Sequence, residues 1–432
     1  MYVAIDDTDS KSWMCTTFLA NELISCLGKY DLIGYPRLVR LNPAVPWKTR
    51  GNGAICLRFG RGSGPSRIVG EVDGNTILSR DRCLEPAEPE TVREVALEII
   101  ARWSRLEEGA SPGIVVSERK PNPGLYWSAV RRIISREEVL ETLDQIGAAH
   151  GGLNGSRGVI GASAAMSWRP RDRTFELLAY RERGRWGTKR SLDEDSVIAM
   201  DRDFPSTFNN YDREEEKVAI SPSSPCPVLY GIRGEDPNDL MDASRTLVSE
   251  RRASWLIFLT NQGTDDHILV NWKGLEPNSS YSIEGKVVSG PREMEGGHVI
   301  LAMDSRAGEI ELTAYEPSKG FRRVARALEV GDHIRVLGEL REDPRTLNIE
   351  KLEVMDLVPK TLKMANPRCP SCGKAMKSAG SGQGYRCRGC GIRAPESSAI
   401  LEEVDREISE GWYQPPVSAR RHLSKPLKRM TQ

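Results

Sequence analysis

Apolar positions along this chain change their period several times, and each change marks a predicted element. The run Tyr2-Val3-Ala4-Ile5 suits a short buried strand, and Met14, Phe18, Leu19, Leu23 and Leu27 then recur at helical spacing until Gly28. Residues 34–41 alternate as a strand does, Asn42-Pro43 breaks them, and 53–59 predicts a further strand. Residues 61–75 are rich in Gly and Ser and read as loop or sheet edge. A long helix follows from about residue 90, with Val92, Ala96, Ile99, Trp103 and Leu106 on one face, and 113–117 closes the region with a strand. The order β-α-β-β-α-β resembles a split βαβ unit. Residues 1–118 therefore make a first, mostly self-contained domain.

A Pro/Gly hinge at 120–124 opens the second region. Ser135 and Glu138 then form a capping box over a helix bearing Val139, Leu140, Leu143 and Ile146. Strands at 175–180, 228–232 and 255–259 with a helix at 238–247 extend this domain over 119–275. The next part, 276–358, reads as all-β: strands at 281–288, 298–303, 309–314, 332–340 and 347–357, with a short helix before the fourth. That is the order of an OB-fold β-barrel, whose face binds oligonucleotides through basic and aromatic groups. Residues 359–432 remain, and within them 396–411 predicts an acidic helix.

Composition narrows the classes. A chain of 432 residues exceeds what one hydrophobic core holds. Lys+Arg 61 equals Asp+Glu 61, so any nucleic-acid binding must rest on local patches. No apolar stretch is long enough to span a membrane and the N-terminus enters a strand without a basic leader, which predicts a cytoplasmic protein with no membrane partner. Nine cysteines, four in C-x-x-C pairs and five scattered singly, suit a reducing compartment with one metal site.

Four stretches carry candidate chemistry. Cys369, Cys372, Cys387 and Cys390 form two C-x-x-C-G knuckles, the spacing of a tetrahedral Zn²⁺ ribbon whose role is structural because protein fills every position. Lys360, Lys363, Arg368, Lys374, Lys377, Arg386, Arg388 and Arg393 crowd this module, and 360–395 holds no Asp or Glu. A second basic patch, Arg420, Arg421, Lys425, Lys428 and Arg429, forms a tail, and the two cationic patches together with the OB-fold and the ribbon favour nucleic-acid phosphate. At the other end, Asp6, Asp7, Thr8, Asp9 and Ser10 meet at a strand-to-helix crossing. Asp, Thr and Ser are ordinary turn residues, yet three carboxylates in four positions repel one another unless a cation sits among them, which points to a divalent metal beside phosphate. Glycines at 147, 151, 152, 155, 158 and 161 allow close backbone approach to a phosphate, or serve as loop chemistry alone. The stretch Phe208, Asn209, Asn210, Tyr211 and Asp212 joins aromatic rings to amide and carboxylate groups, a pairing suited to a small cation or to a solvated loop.

The order of parts resembles one family, the archaeal tRNA(Ile) 2-agmatinylcytidine synthetases. The resemblance rests on I-D-D-T-D-S at 5–10, M-C-T-T at 14–17, R-G-N-G-A at 50–54, T-F-N-N-Y-D at 207–212, P-V-L-Y-G-I-R-G at 227–234 and T-N-Q-G-T-D-D-H at 260–267. It implies a multidomain α+β protein: a kinase-like α/β N-terminal domain, a ferredoxin-like α+β domain, an OB-fold and a C-terminal zinc ribbon. It further implies an enzyme that uses ATP and Mg²⁺ to phosphorylate the C2 oxygen of the wobble cytidine of an isoleucine tRNA with a CAU anticodon. Agmatine then displaces the phosphate, and AMP and two phosphates are released overall. By position, Asp6, Asp7 and Asp9 would hold metal on the ATP phosphates, Thr16 matches the threonine that becomes phosphorylated, and Thr8, Ser10, Thr17, Asn52 and Gly53 are candidates for ATP contact. Phe208, Asn209, Asn210, Tyr211 and Asp212 are candidates for agmatine. The OB-fold, ribbon and tail would hold the tRNA body, with no obligate protein partner.

Two other readings compete. Lysidine-type chemistry on the same base needs a loop of S-G-G-x-D-S type, which the chain lacks. A non-catalytic OB/zinc-ribbon factor for single-stranded nucleic acid leaves the Asp-rich turn without a purpose.

Overall fold

The computed structural model describes residues 1–49 and 51–430, so Arg50 of the R-G-N-G-A motif lies outside the described residues. Its largest feature is a sheet of 11 strands. In chain order the first seven are β1 (Tyr2–Asp6), β2 (Asp31–Ile33), β3 (Arg37–Arg40), β4 (Gly53–Val72), β5 (Asn75–Pro86), β6 (Gly113–Ser117) and β7 (Ala149–Gly152). The others are β8 (Thr174–Arg181), β9 (Thr207–Phe208), β10 (Val228–Gly234) and β11 (Arg252–Thr260). The main path runs β7-β6-β1-β4-β3-β11-β8-β10-β9. It therefore continues without a break past residue 118, because β11 pairs with both β3 and β4.

Side chains alternate across β1, and the alternation sorts the layers. Val3 and Ile5 pack with Leu19 and Leu23 of α1 (Leu19–Cys26) and with Val92, Ala96 and Ile100 of α2 (Pro89–Trp103). Ala4 faces the opposite layer, in one core with Leu125 of α3 (Pro123–Arg131), Leu143 of α4 (Arg136–Gln145) and Ala162 of α5 (Val159–Ser167). Two further helices, α6 (Glu194–Asp203) and α7 (Pro237–Thr246), cover β8, β10 and β11.

Three expectations give way here, and the strand directions differ from those of a parallel α/β sheet. Strand β1 runs antiparallel to both of its neighbours, and within this sheet only the β3–β11 and β2–β5 pairs are parallel. Of the two readings of the Gly- and Ser-rich residues 61–75, loop gives way and sheet edge holds: β4 and β5 form a long hairpin with three register shifts, β5 lying off the main path of the sheet. Glycine serves contact there, since a Cβ on Gly70 would come 2.3 Å from the Trp255 carbonyl oxygen of β11. The hinge at 120–124 is the start of α3, with Asn122 capping it by accepting from the Gly124 N–H at 2.8 Å and Pro123 in the first turn, where the absent N–H costs nothing. The predicted acidic helix at 396–411 is instead a strand, Ile400–Val404, paired antiparallel with Lys360–Ala365 so that acidic residues lie across from a basic strand.

The third region matches its expected pattern closely. Strands Ser279–Glu293, Val299–Ser305, Gly308–Ala314, His333–Leu340 and Thr346–Asp356 pair in a circuit that returns to the first strand, with helix Phe321–Arg326 between the third and fourth. Their inward residues, among them Ile283, Leu301, Leu312, Val336 and Leu352, make a separate core.

Candidate active site and zinc centre

The Asp-rich turn projects from the end of β1. Asp7 takes a left-handed backbone (φ 56), which only short polar side chains and glycine adopt readily. Asp6 is buried against the first turn of α5, and glycine is required for that approach: a Cβ on Gly161 would lie 1.8 Å from Asp6 Oδ2, and one on Gly158 2.4 Å from the Asp6 carbonyl oxygen. Two members of the Gly-rich run thus fit the helix against the carboxylate. Burial, with Asp7 alongside, raises the Asp6 pKa well above the ordinary carboxylate range. Burial also raises that of Asp7, against the pull of Arg157, which donates to Asp7 Oδ2 from Nε at 3.0 Å and NH2 at 2.7 Å. Thr8 and Thr16 are both buried and joined hydroxyl to hydroxyl at 3.0 Å. Ser10 Oγ accepts from the N–H groups of Trp13 (3.0 Å) and Met14 (3.2 Å), closing the loop. Thr17 Oγ1 lies 3.1 Å from Cys15 Sγ.

Two cavities meet at this turn. The first is lined by Asp6, Asp7 and Asp9 with Lys48, Arg132, Arg157, Gly158 and Gly161. The second, about 550 Å³, is lined by Thr16, Thr17, Arg40, Glu176, Asn209 and Arg233, among others. Asp9, Asn52 and Gly53 line both. The wall between the cavities is therefore built from the two motifs at 5–10 and 50–54.

Glu176, fully buried, organises the larger cavity. It accepts from Arg233 Nε (3.0 Å) and Gln262 Nε2 (2.5 Å), with Arg40 NH2 at 3.9 Å. Asn261 holds Arg40 through its backbone, accepting from the N–H at 2.7 Å and donating to the carbonyl at 2.8 Å. The T-N-Q-G-T-D-D-H stretch thus braces the cavity. Gln262 belongs to that motif, whereas Arg40, Glu176 and Arg233, to which the sequence pattern assigns no role, lie on β3, β8 and β10, strands that only tertiary pairing brings together.

The stretch at 207–212 divides. Asn209 faces the larger cavity. Asn210 is buried and donates to Asp201 (3.1 Å) and Thr207 (2.7 Å), and Tyr211 donates to Glu194 at 2.8 Å. Asp212 accepts from the Ser418 N–H at 2.8 Å, and the Phe208 ring lies 5.9 Å from the Arg429 guanidinium.

Ser418 and Arg429 belong to the basic tail, which is not a free arm. Arg420 donates to Asn209 (2.8 Å), Arg421 pairs with Glu339 and lies 3.2 Å from Glu350, Lys425 pairs with Asp172 (3.0 Å), and Lys428 donates to the Thr207 carbonyl (2.7 Å). Arg429 pairs with Asp172 at 2.8 Å and with Glu235. Carboxylates far away in sequence neutralise the tail and turn it into a strap across the molecule. His422 of the strap lines the larger cavity from an exposed position, and the Arg40 charge pushes its pKa well below the usual imidazole value.

In the ribbon, Sγ atoms of Cys369 and Cys390 lie 3.3 Å apart and those of Cys372 and Cys387 3.5 Å apart, with no disulfide. All four fall within 4.8 Å of one another, near the spacing of about 3.8 Å that tetrahedral Zn–S bonds of about 2.3 Å require. Each knuckle ends in a glycine with positive φ, Gly373 (φ 70) and Gly391 (φ 75), whose N–H returns to the Cys369 or Cys387 carbonyl. Backbone N–H groups of Cys390 and Gly389 lower the Cys387 thiol to about 6, favouring the thiolate a metal needs. The residues fit zinc. Among the described residues this is the one group of three or more His, Cys, Asp or Glu ligands close enough for a single ion, so the three aspartates do not form a ready-made cage. Arg368, Lys374, Lys377, Arg386, Arg388 and Arg393 are exposed around the ribbon.

Comparison with known proteins decides the family. Residues 2–155 match the family model for the TiaS TCKD domain, 156–267 that for the TiaS FLD domain, and 366–408 that for the TiaS C-terminal zinc ribbon domain. The 2-agmatinylcytidine synthetase TiaS of Methanocaldococcus jannaschii, named for an isoleucine tRNA, is 39% identical, over 99% of this chain and 98% of the relative. The chain belongs to the TiaS family. Among solved structures, the complex of TiaS with isoleucine tRNA and ATP superposes with TM-score 0.86 at 37% identity, covering 99% of this chain and 97% of that one. The complex of TiaS with the same tRNA, AMPCPP and agmatine gives TM-score 0.82 at 35% identity, covering 100% and 97%. The boundary between the first two TiaS family models falls at residue 155, after β7, the edge strand that completes the sheet next to the Asp-rich turn.

Proposed function

We propose that the protein joins agmatine to C2 of the wobble cytidine of an isoleucine tRNA with a CAU anticodon, at the expense of ATP. The observation that carries this reading is the shared wall of Asp9, Asn52 and Gly53, with a cavity lined by three aspartates and the cations Lys48, Arg132 and Arg157 on one side and a larger cationic and amide-rich cavity on the other. A phosphoryl donor in one cavity and an acceptor in the other would lie side by side across this wall.

In this reading residues 1–118 act as a kinase-like domain, the following region as a ferredoxin-like domain, and the five-strand circuit as an OB-fold. ATP lies with its phosphates toward Asp6, Asp7 and Asp9, while Lys48 and Arg157 add positive charge. Mg²⁺, when bound, would use one or two of these carboxylates together with phosphate oxygens, supplying charge neutralisation that the crowded, raised carboxyls favour. Thr8, Ser10, Thr17, Asn52 and Gly53 shape the loop around the phosphates. In this reading Thr16 accepts and relays a phosphoryl group, which its position beside Thr8 on the lining of the second cavity supports.

The cytidine, turned out of the anticodon loop, enters the larger cavity, where Arg40 and Arg233 face the oxygen that takes the phosphate. Agmatine attacks C2 through its amine nitrogen. The C–N bond forms, the C2 oxygen departs with its phosphate, and the nitrogen gives up a proton. Asn209 is the member of its stretch that reaches the cavity, and Phe208, Asn210, Tyr211 and Asp212 fix the strand and the strap behind it. The exposed cations of the ribbon hold the RNA backbone.

The test is mass spectrometry of nucleosides from an isoleucine CAU tRNA transcript incubated with protein, Mg²⁺, ATP and agmatine, with lysine replacing agmatine in a parallel tube. The expected result is a cytidine heavier by agmatine less water in the agmatine tube only. Unmodified cytidine in both tubes, with the tRNA bound, overturns the reading. Asp7→Ala is expected to abolish ATP-dependent modification while leaving tRNA affinity within about threefold, since the substitution removes transition-state charge handling and no RNA contact.

A further inference from the structure

A third cavity, of about 500 Å³, shares no residue with the two described above. It opens at the other end of β1, by Tyr2, four residues or about 13 Å along the strand from Asp6. Arg37, Arg58, Arg67 and Arg173 line it together with Tyr2, Tyr35 and Phe175, against the single carboxylate of Asp81.

The cations are incompletely spent. Arg67 pairs with Asp81 and lies 5.4 Å from the Tyr35 ring centre, and Arg37 donates to the Trp168 carbonyl at 3.0 Å. Arg58 stacks 4.8 Å from the Tyr2 ring centre, and its buried Nε has no hydrogen-bond partner among the described residues. The Arg173 side chain is exposed and makes no hydrogen bond or ion pair among the described residues. Lys120 approaches the same Tyr2 ring at 4.8 Å, and burial, with Arg37 and Arg169 nearby, lowers its pKa to about 7. An excess of positive charge held half-buried in one place calls for an anion, and the tyrosines and Phe175 offer flat apolar surface beside it. Guanidinium groups flanked by aromatic rings fit a phosphate carrying a planar base, and the volume lies within the range of nucleotide-sized sites.

We propose that this cavity is a second nucleotide site, taking a phosphate together with its attached base. The nucleotide is either one of the bound tRNA outside the anticodon or a free one, and both present the same chemistry.

The experiment uses two photoprobes on the full chain, a 4-thiouridine-substituted tRNA transcript and 8-azido-AMP, with labelled peptides identified by mass spectrometry. Labelling of the peptides containing Tyr2 or Tyr35, lost in the Arg58→Gln/Arg173→Gln double variant, is the expected result. Label from the tRNA probe identifies an RNA nucleotide, and the same variant should then bind tRNA about three- to tenfold more weakly, with a shallower salt dependence. Label from 8-azido-AMP alone identifies a free nucleotide and leaves tRNA affinity unchanged. Labelling of neither peptide by either probe overturns the proposal. Should the double variant fail to fold, Arg173→Gln alone, at an exposed position, carries the same comparison.

Discussion

The chain carries two basic stretches near its C-terminus, and they behave in opposite ways. Around the zinc centre Lys374, Lys377, Arg386, Arg388 and Arg393 point into solvent, on a module with little apolar core beyond Met376, Tyr385 and two ligand cysteines. The strap cations Arg420, Arg421, Lys425 and Arg429 find Asn209, Glu339, Glu350, Asp172 and Glu235, and Lys428 a backbone carbonyl. Charge density along the sequence is similar; what differs is whether carboxylates from elsewhere fold onto it. A basic run is therefore a nucleic-acid surface only where the fold leaves it unpaired. The ribbon meets that condition and the strap does not.

The sharpest way to break the comparison is through the metal. A filled Cys₄ site supplies about 10–16 kcal/mol of binding free energy, more than so small a core provides. Cys387→Ser should lose zinc by elemental analysis and unfold residues 366–408, weakening tRNA binding while the strap and the large sheet keep their circular dichroism. Retained stoichiometric zinc would remove Cys387 from the ligand set.

Arg429→Ala should act on the other region. It strands Glu235 and Asp172, and because both are about a third exposed the loss is about 2 kcal/mol, below that of a fully buried pair. Urea denaturation would register it, whereas the salt dependence of tRNA binding should stay as it is.

A smaller effect follows from Glu350. Burial raises its pKa, but Arg421 and His267, which lies 2.9 Å away, outweigh it and hold the carboxyl at about 2 instead of 4.5. A folded pKa below the unfolded one contributes stability above about 4.5, which is lost as pH falls toward 2. Glu350→Gln should therefore be less stable than the parent at pH 7, with the gap closing near pH 2; a gap constant with pH would uncouple the strap from this carboxylate. Smallest in stability are Lys374→Ala and Arg388→Ala, within about 0.5 kcal/mol of the parent because both side chains are exposed. Each should lower the salt slope of tRNA binding by about 0.7 to 0.9 if it meets one phosphate.

Legibility in the sequence followed the range of the interaction. The five β-strands of the third region and the cysteine knuckles were readable because strand alternation and C-x-x-C-G spacing are local. Hairpin β4–β5 was not, since Gly62, Gly64 and Gly70 look like loop until the Trp255 carbonyl is known to press on Gly70. At the site, the Asp-rich turn and the 50–54 motif were visible as sequence, yet their meeting at one wall was not. Arg40, Glu176 and Arg233 sit on strands that become neighbours only when β11 joins β3 to β8. Asp212 looked like a partner for a cation, and its oxygens are engaged by backbone N–H groups of Ser418, Glu214 and Glu215.

Hydrogen–deuterium exchange of the full protein, with and without tRNA, tests the contrast between ribbon and strap most directly. The account predicts that residues 417–430 are protected already in the free protein and change little on binding, while 366–395 gain protection when tRNA is added. A strap that exchanges freely alone and becomes protected only with tRNA would contradict it.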